Sequence, residues 1–138
     1  MECKVSTTDI REKAFIVDKK EFMARVDRKD LECRESIIIG DYYKAAWFNK
    51  TRQTFILPTF CLKDGQIKEC ISGHHRTALL DKCNVDAMPI GFVTIDENGL
   101  AIEFSMLDEA SKKLLIEIKA REIRNEDIII LPDLRIEE

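Results

Sequence analysis

The sequence predicts one mixed α+β domain over residues 1–138, a small mixed sheet with flanking helices. Three observations lead there. Strand-like and helix-like runs alternate along the chain, with no internal repeat, low-complexity tract or Gly/Ser-rich linker between them. Lys63-Asp64-Gly65-Gln66 carries the Asp-Gly signal of a tight hairpin between two strand-like runs. In Ile71-Ser72-Gly73-His74-His75-Arg76-Thr77-Ala78-Leu79-Leu80 an apolar run stops at a glycine and a helix-forming run begins, which marks a strand-to-helix junction.

Taken in order, Phe15–Val17 reads as a short strand and residues 19–28 as a helix with Phe22, Met23 and Val26 on one face. Ser36–Ile39 reads as a second short strand. Tyr42–Phe48 reads as an aromatic-rich helix capped by Asp41. Thr54–Leu62 and Ile67–Ile71 are the arms of the Asp-Gly hairpin; Pro58 puts the first arm at an edge or starts it after the proline. A helix follows over His74–Lys82, ended by Asn84, and Ala87–Ile95 is the next strand, closed by the turn Asp96-Glu97-Asn98-Gly99. Leu100–Phe104 is a further strand. Ser105-Met106-Leu107-Asp108 has the form of a capping box, and the helix it opens runs to Arg124 with Leu107, Leu114, Leu115, Ile118 and Ile123 on its buried face. Asp127–Leu131 is an Ile-rich strand stopped by Pro132.

Composition narrows the class. Apolar residues make up 45% and charged residues 35%, as in a globular chain with a heavily charged surface. The longest apolar stretches are too short for a membrane span, and Met1-Glu2-Cys3-Lys4 lacks the form of a signal peptide, so the expectation is a cytoplasmic protein. Five cysteines, an odd number without Cys-x-x-Cys, read as free, mostly buried thiols. A zinc site from Cys70, Cys83 and His74 or His75 matches no standard spacing. A net charge of −4 disfavours coating of nucleic acid but leaves room for the few phosphates of a nucleotide.

The chemistry gathers at residues 72–77, where the only two histidines stand side by side. A helix start leaves backbone N–H groups without partners in the helix, and the positive end of its dipole favours anions. Arg76 adds a bidentate clamp for phosphate, and an imidazole adds a group whose ordinary pKa of about 6.5 suits proton transfer. The plainer alternative is a surface helix start whose polar residues only cap the turn. Elsewhere, Tyr42, Tyr43, Trp47 and Phe48 have the spacing of a core face or of a stacking platform for a base. Glu69 is a solvated strand residue or a metal neighbour of bound phosphate, and Asp64 is a turn residue.

The segment Ile56-Leu57-Pro58-Thr59-Phe60-Cys61-Leu62-Lys63-Asp64-Gly65, continued through Gly73-His74-His75-Arg76 to Met88-Pro89-Ile90, resembles the ParB/sulfiredoxin-like domain. The likeness covers residues 54–95. It implies that the Gly-x-x-Arg turn holds nucleotide phosphates, with Gly73 allowing close backbone approach, Arg76 contacting phosphate, and Ser72 and Thr77 adding hydroxyls. It further implies a nucleoside triphosphate, ATP or CTP, accompanied by magnesium. His74 stands where sulfiredoxins carry the reactive cysteine and ParB-type CTPases usually a glutamate, so sulfinic-acid reduction is not expected. The DNA-binding helix-turn-helix region that follows the domain in partition proteins has no counterpart in residues 96–138.

The leading expectation is a phosphate-binding protein that hydrolyses or transfers a phosphate, of NTPase or nuclease type, with His74 or His75 moving the proton. The alternative is a non-catalytic accessory or inhibitor protein of a phage or mobile element that acts on a protein partner. A nucleic-acid-binding regulator is a third reading, which the net charge disfavours.

Overall fold

Pro58 divides the long run that begins at Thr54. With no N–H to give, it ends one strand and precedes the next, and the two pieces join different sheets. The computed structural model of the chain describes residues 2–7, 10–27, 54–82, 85–124 and 127–130. The elements are β1 (Glu2–Ser6), β2 (Lys13–Asp18), α1 (Lys19–Met23), β3 (Thr54–Ile56), β4 (Thr59–Lys63), β5 (Gln66–Ser72), α2 (His74–Lys82), β6 (Ala87–Ile95), β7 (Ala101–Ile102), a 3-10 turn (Phe104–Met106), α3 (Glu109–Glu117), β8 (Arg121–Ile123) and β9 (Ile128–Ile130). The class is mixed α+β, with more strand than helix. The strand and helix expected over 36–48, the aromatic residues within them, and the stop at Asn84 fall outside the described residues.

The larger sheet has the order β5-β4-β6-β2-β8, with β7 added to the end of β6. All its pairings are antiparallel except β4 with β6. β4 therefore starts after the proline, as expected, but it is an interior strand rather than an edge. Its first register pairs, Thr59 with Gly91 on β6 and Thr59 with Ser72 on β5, bring three strands level at one end of the sheet. The smaller sheet, β3-β1-β9, is joined to β4 through Leu57, whose N–H donates to Ser6 O at 2.9 Å.

Aromatic rings carry the core between α1 and the larger sheet. Phe22 stands edge-on to Phe60 at 5.1 Å and tilted to Phe92 at 6.1 Å, and Phe15 closes the row against Phe92 at 5.9 Å. Each such pair stabilises by about 0.5–1.5 kcal/mol beyond its buried area. α1 is capped by Asp18, which accepts from Glu21 N–H at 3.0 Å. It ends at Met23, five residues short of the expected limit, and two turn-type hydrogen bonds carry the chain on to Val26.

The C-terminal part corrects three expectations. The capping residue of α3 is Asp108 rather than Ser105: its carboxylate accepts from Ser111 N–H at 2.8 Å, while Ser105 lies in the 3-10 turn that shortens the strand expected over 100–104. α3 also stops at Glu117 instead of Arg124. Lys119 takes a left-handed φ of 55°, Ala120 N–H donates back to Leu115 O at 2.9 Å and Lys119 N–H to Ile116 O at 3.0 Å. That is a Schellman ending with lysine where glycine is usual, and it releases residues 121–123 to pair with β2. The hairpin turn docks on this helix. Asp64 and Gly65 have φ of 55° and 72°, as an Asp-Gly type I′ turn requires, and Asp64 N–H donates to Asp108 at 3.1 Å.

Candidate functional site

The strand-to-helix junction forms where it was expected, between β5 and the nine-residue α2. Gly73 has φ of 88°, a conformation that side chains rarely adopt. A β-carbon there would stand 2.7 Å from Pro58 Cα and 2.9 Å from an Arg76 guanidinium nitrogen. Only glycine fits between these two neighbours. The residue thus sets both the bend of the chain and the place of the guanidinium, which folds back over the turn.

Gly73 is also the first acceptor of α2. Its carbonyl receives the Thr77 N–H at 2.9 Å and the Thr77 hydroxyl at 2.9 Å. The N–H groups of His74, His75 and Arg76 precede that first helical bond and so lie at the open end of the helix. The first turn holds no acidic side chain, and the positive end of the dipole is left uncompensated from within the helix. Arg76 adds a fixed positive charge at the same place. The arrangement suits an anion.

The expected site residues do not all contribute in the same way. Gly73 and Arg76 stand together, as expected, and His74 is half-buried at the first helical position. The His75 side chain lies outside the described residues. Arg76 Nε is buried with no hydrogen-bond acceptor among the described residues, although Arg76 has other interactions. Ser72 ends β5, and its carbonyl accepts from the Cys70 thiol at 3.3 Å. Thr77 departs from expectation. It is fully buried and its hydroxyl donates to Gly73, so it holds the turn in shape rather than offering a donor to a ligand.

Three residues that attracted no attention in the sequence converge beside this turn. Glu12 is only 6% exposed, and its carboxylate accepts from the Thr59 hydroxyl at 2.5 Å. The same carboxylate fills the space above Gly91, where a β-carbon would collide with Glu12 Oε1. Gly91 N–H in turn donates to Pro58 O at 2.8 Å, and Pro58 is the residue packed against Gly73. An acid is therefore buried one residue away from the wall of the turn. Burying a carboxylate is costly unless it is hydrogen-bonded, and here at least one donor is in place. Locally, Arg11-Glu12-Lys13 reads as solvated surface; only register across 47 to 79 residues of chain reveals its place.

Glu69 is exposed and lines a separate cavity of about 570 Å³ with Cys61, Ile67 and Lys68. Burial pushes the Cys61 thiol above its ordinary range, and the Glu69 carboxylate adds to the shift against Lys68 and Lys63. Cys61 and Cys70 are buried free cysteines. Among the described residues no group of three or more His, Cys, Asp or Glu is placed to hold a metal ion; Cys83 of the imagined zinc set is outside them. No helix among the described residues is long and apolar enough to cross a membrane. Comparison with family models, with curated proteins and with solved structures finds no match for the chain.

Proposed function

We propose that the chain is a cytoplasmic nucleotide-binding protein of the ParB/sulfiredoxin-like kind. It holds phosphate at the Gly73–Arg76 turn and hydrolyses or transfers a phosphoryl group, as an NTPase or a nuclease does. The observation that carries this reading is the placement of Gly73 between Pro58 and the Arg76 guanidinium, at the start of a helix whose first turn carries no acid. The backbone N–H groups at the start of the helix would donate to phosphate oxygens, and the guanidinium would hold the charge that develops on them. His74 or His75 would move a proton. ATP or CTP with magnesium is the expected ligand, the cation neutralising phosphate charge when bound.

The test is a calorimetric binding screen of ATP, CTP and GTP, with and without magnesium, on wild type and Arg76→Ala. Loss of one charge-assisted hydrogen bond removes about 1.5–3 kcal/mol, so the variant should bind at least about tenfold more weakly. Affinity unchanged in Arg76→Ala removes the proposed role. A chain that binds none of the three nucleotides but forms a stoichiometric complex with a protein is the accessory or inhibitor protein instead.

A further inference from the structure

The two edges of the larger sheet differ in length. β8 offers three residues, with Arg121 and Glu122 exposed, whereas β5 offers seven. An edge strand presents N–H and C=O groups that a second chain can pair with, and a long regular edge invites association. Among the described residues no strand lies on the outer side of β5, and Lys68, Glu69 and Ile71 on it are exposed. We infer that two bulges built into β5, rather than its charges, close this edge to a second copy of the chain.

The register with β4 places the bulges. Lys63 pairs with Gln66 and Leu62 with Ile67, one step on each strand. From Leu62 to Phe60 β4 advances two residues while β5 advances three, from Ile67 to Cys70. From Phe60 to Thr59 β4 advances one residue while β5 advances two, from Cys70 to Ser72. The extra residues therefore lie at Lys68–Glu69 and at Ile71. Burial follows the same phase: Ile67 and Cys70 are buried with two exposed residues between them, where strict alternation would place one.

A pairing strand needs N–H and C=O groups at a constant spacing along the edge it meets. Each bulge bends the strand and increases its twist, so the outward groups on its two sides fall out of step. Gln66 and Ile67 are the only adjacent residues of β5 whose partners on β4 are adjacent too, a stretch shorter than an ordinary strand. Charge is the weaker barrier. Lys68 and Glu69 have opposite signs, and opposite charges attract across paired strands. β5 runs directly into Gly73, so a second strand laid along its whole length would also end beside the turn. The bulge at Ile71 keeps that approach clear. The inference stands apart from the phosphate reading of the turn.

Sedimentation equilibrium combined with amide hydrogen exchange tests it. Deleting Glu69 from Lys68→Thr leaves one outward residue between Ile67 and Cys70, which makes the middle of the strand regular and does not touch the turn. Wild type should sediment as a monomer. The deletion variant should reach about twice that mass as concentration rises, with amides over 66–70 then exchanging at least about tenfold more slowly. A folded deletion variant that stays monomeric overturns the inference, and so does wild type that associates with these amides protected. The double substitution Lys68→Thr, Glu69→Thr supplies a second arm at unchanged chain length. It keeps both bulges and should remain monomeric; association through β5 in this variant would assign the barrier to charge and overturn the role of the bulges.

Discussion

The Glu12 carboxylate stands where a β-carbon on Gly91 would have to be, so each of these residues dictates what the other position tolerates. The pair lies 79 positions apart in the chain and meets because β2, which begins directly after Glu12, pairs with β6; β4 lies on the other side of β6, and its Thr59 hydroxyl binds the same carboxylate.

Gly91→Ala should therefore displace a buried acid rather than fill a void. We expect a loss of about 2 kcal/mol or more, from overpacking and a broken buried hydrogen bond together. Chemical denaturation of Gly91→Ala, Glu12→Ala and the double variant measures it. Because Glu12→Ala removes the atoms that collide, the double variant should lose less than the sum of the two single losses. Additive losses would mean that the two side chains do not share this space.

Gly73→Ala is expected to cost about 2 kcal/mol or more, since φ of 88° strains any side chain and Pro58 Cα lies 2.7 Å from the new carbon. Denaturation midpoints check this. A neutral substitution would mean that the turn is free to rearrange.

Thr77→Val tests the hydroxyl alone. The Gly73 carbonyl keeps the backbone N–H of residue 77, so the loss should be about 1 kcal/mol, while nucleotide affinity stays within about twofold of wild type. A Thr77 hydroxyl that touched phosphate would instead show itself as weaker binding at nearly unchanged stability.

Asp108 gives a prediction in pH. Partial burial works against its charge, but hydrogen bonds from Ser111 N–H and hydroxyl and from Asp64 N–H outweigh it and hold its carboxyl below the usual range. A carboxylate depressed on folding stabilises above its unfolded pKa of about 3.9. Loss of the cap in Asp108→Ala should cost about 1 kcal/mol at pH 7. The gap from wild type should stay full down to about pH 4 and close as pH falls through the lower folded value. A gap independent of pH would assign the cost to something other than the ionised cap.

Local signals made much of this legible. Asp64-Gly65 announced the hairpin because the left-handed φ values of a type I′ turn suit those residues, and Gly73 announced the start of α2 for the same kind of reason. The end of α3 was not legible, because the left-handed stop is made by Lys119, which carries no such signal, while the apolar spacing continues to Ile123. β1 escaped notice although Glu2-Cys3-Lys4-Val5-Ser6 alternates polar and apolar, because the run is short, carries only one β-branched aliphatic residue and lies in a charged segment; its place comes from pairing with β3 and β9. The interior position of β4 was hidden too: Pro58 suggests an edge, yet its carbonyl receives Gly91 N–H and brings β6 alongside. For the site, the turn was readable and its acidic neighbour was not, since a buried glutamate in a charged segment looks like any surface glutamate until the sheet is assembled.

The most direct measurement of the central claim is the backbone amide spectrum of the isotopically labelled chain, titrated with ATP or CTP and magnesium. The account predicts saturable shifts centred on the N–H groups of Gly73, His74, His75 and Arg76, and their loss in Arg76→Ala. Shifts confined to other parts of the chain, or shifts at the turn that persist unchanged in Arg76→Ala, would contradict it.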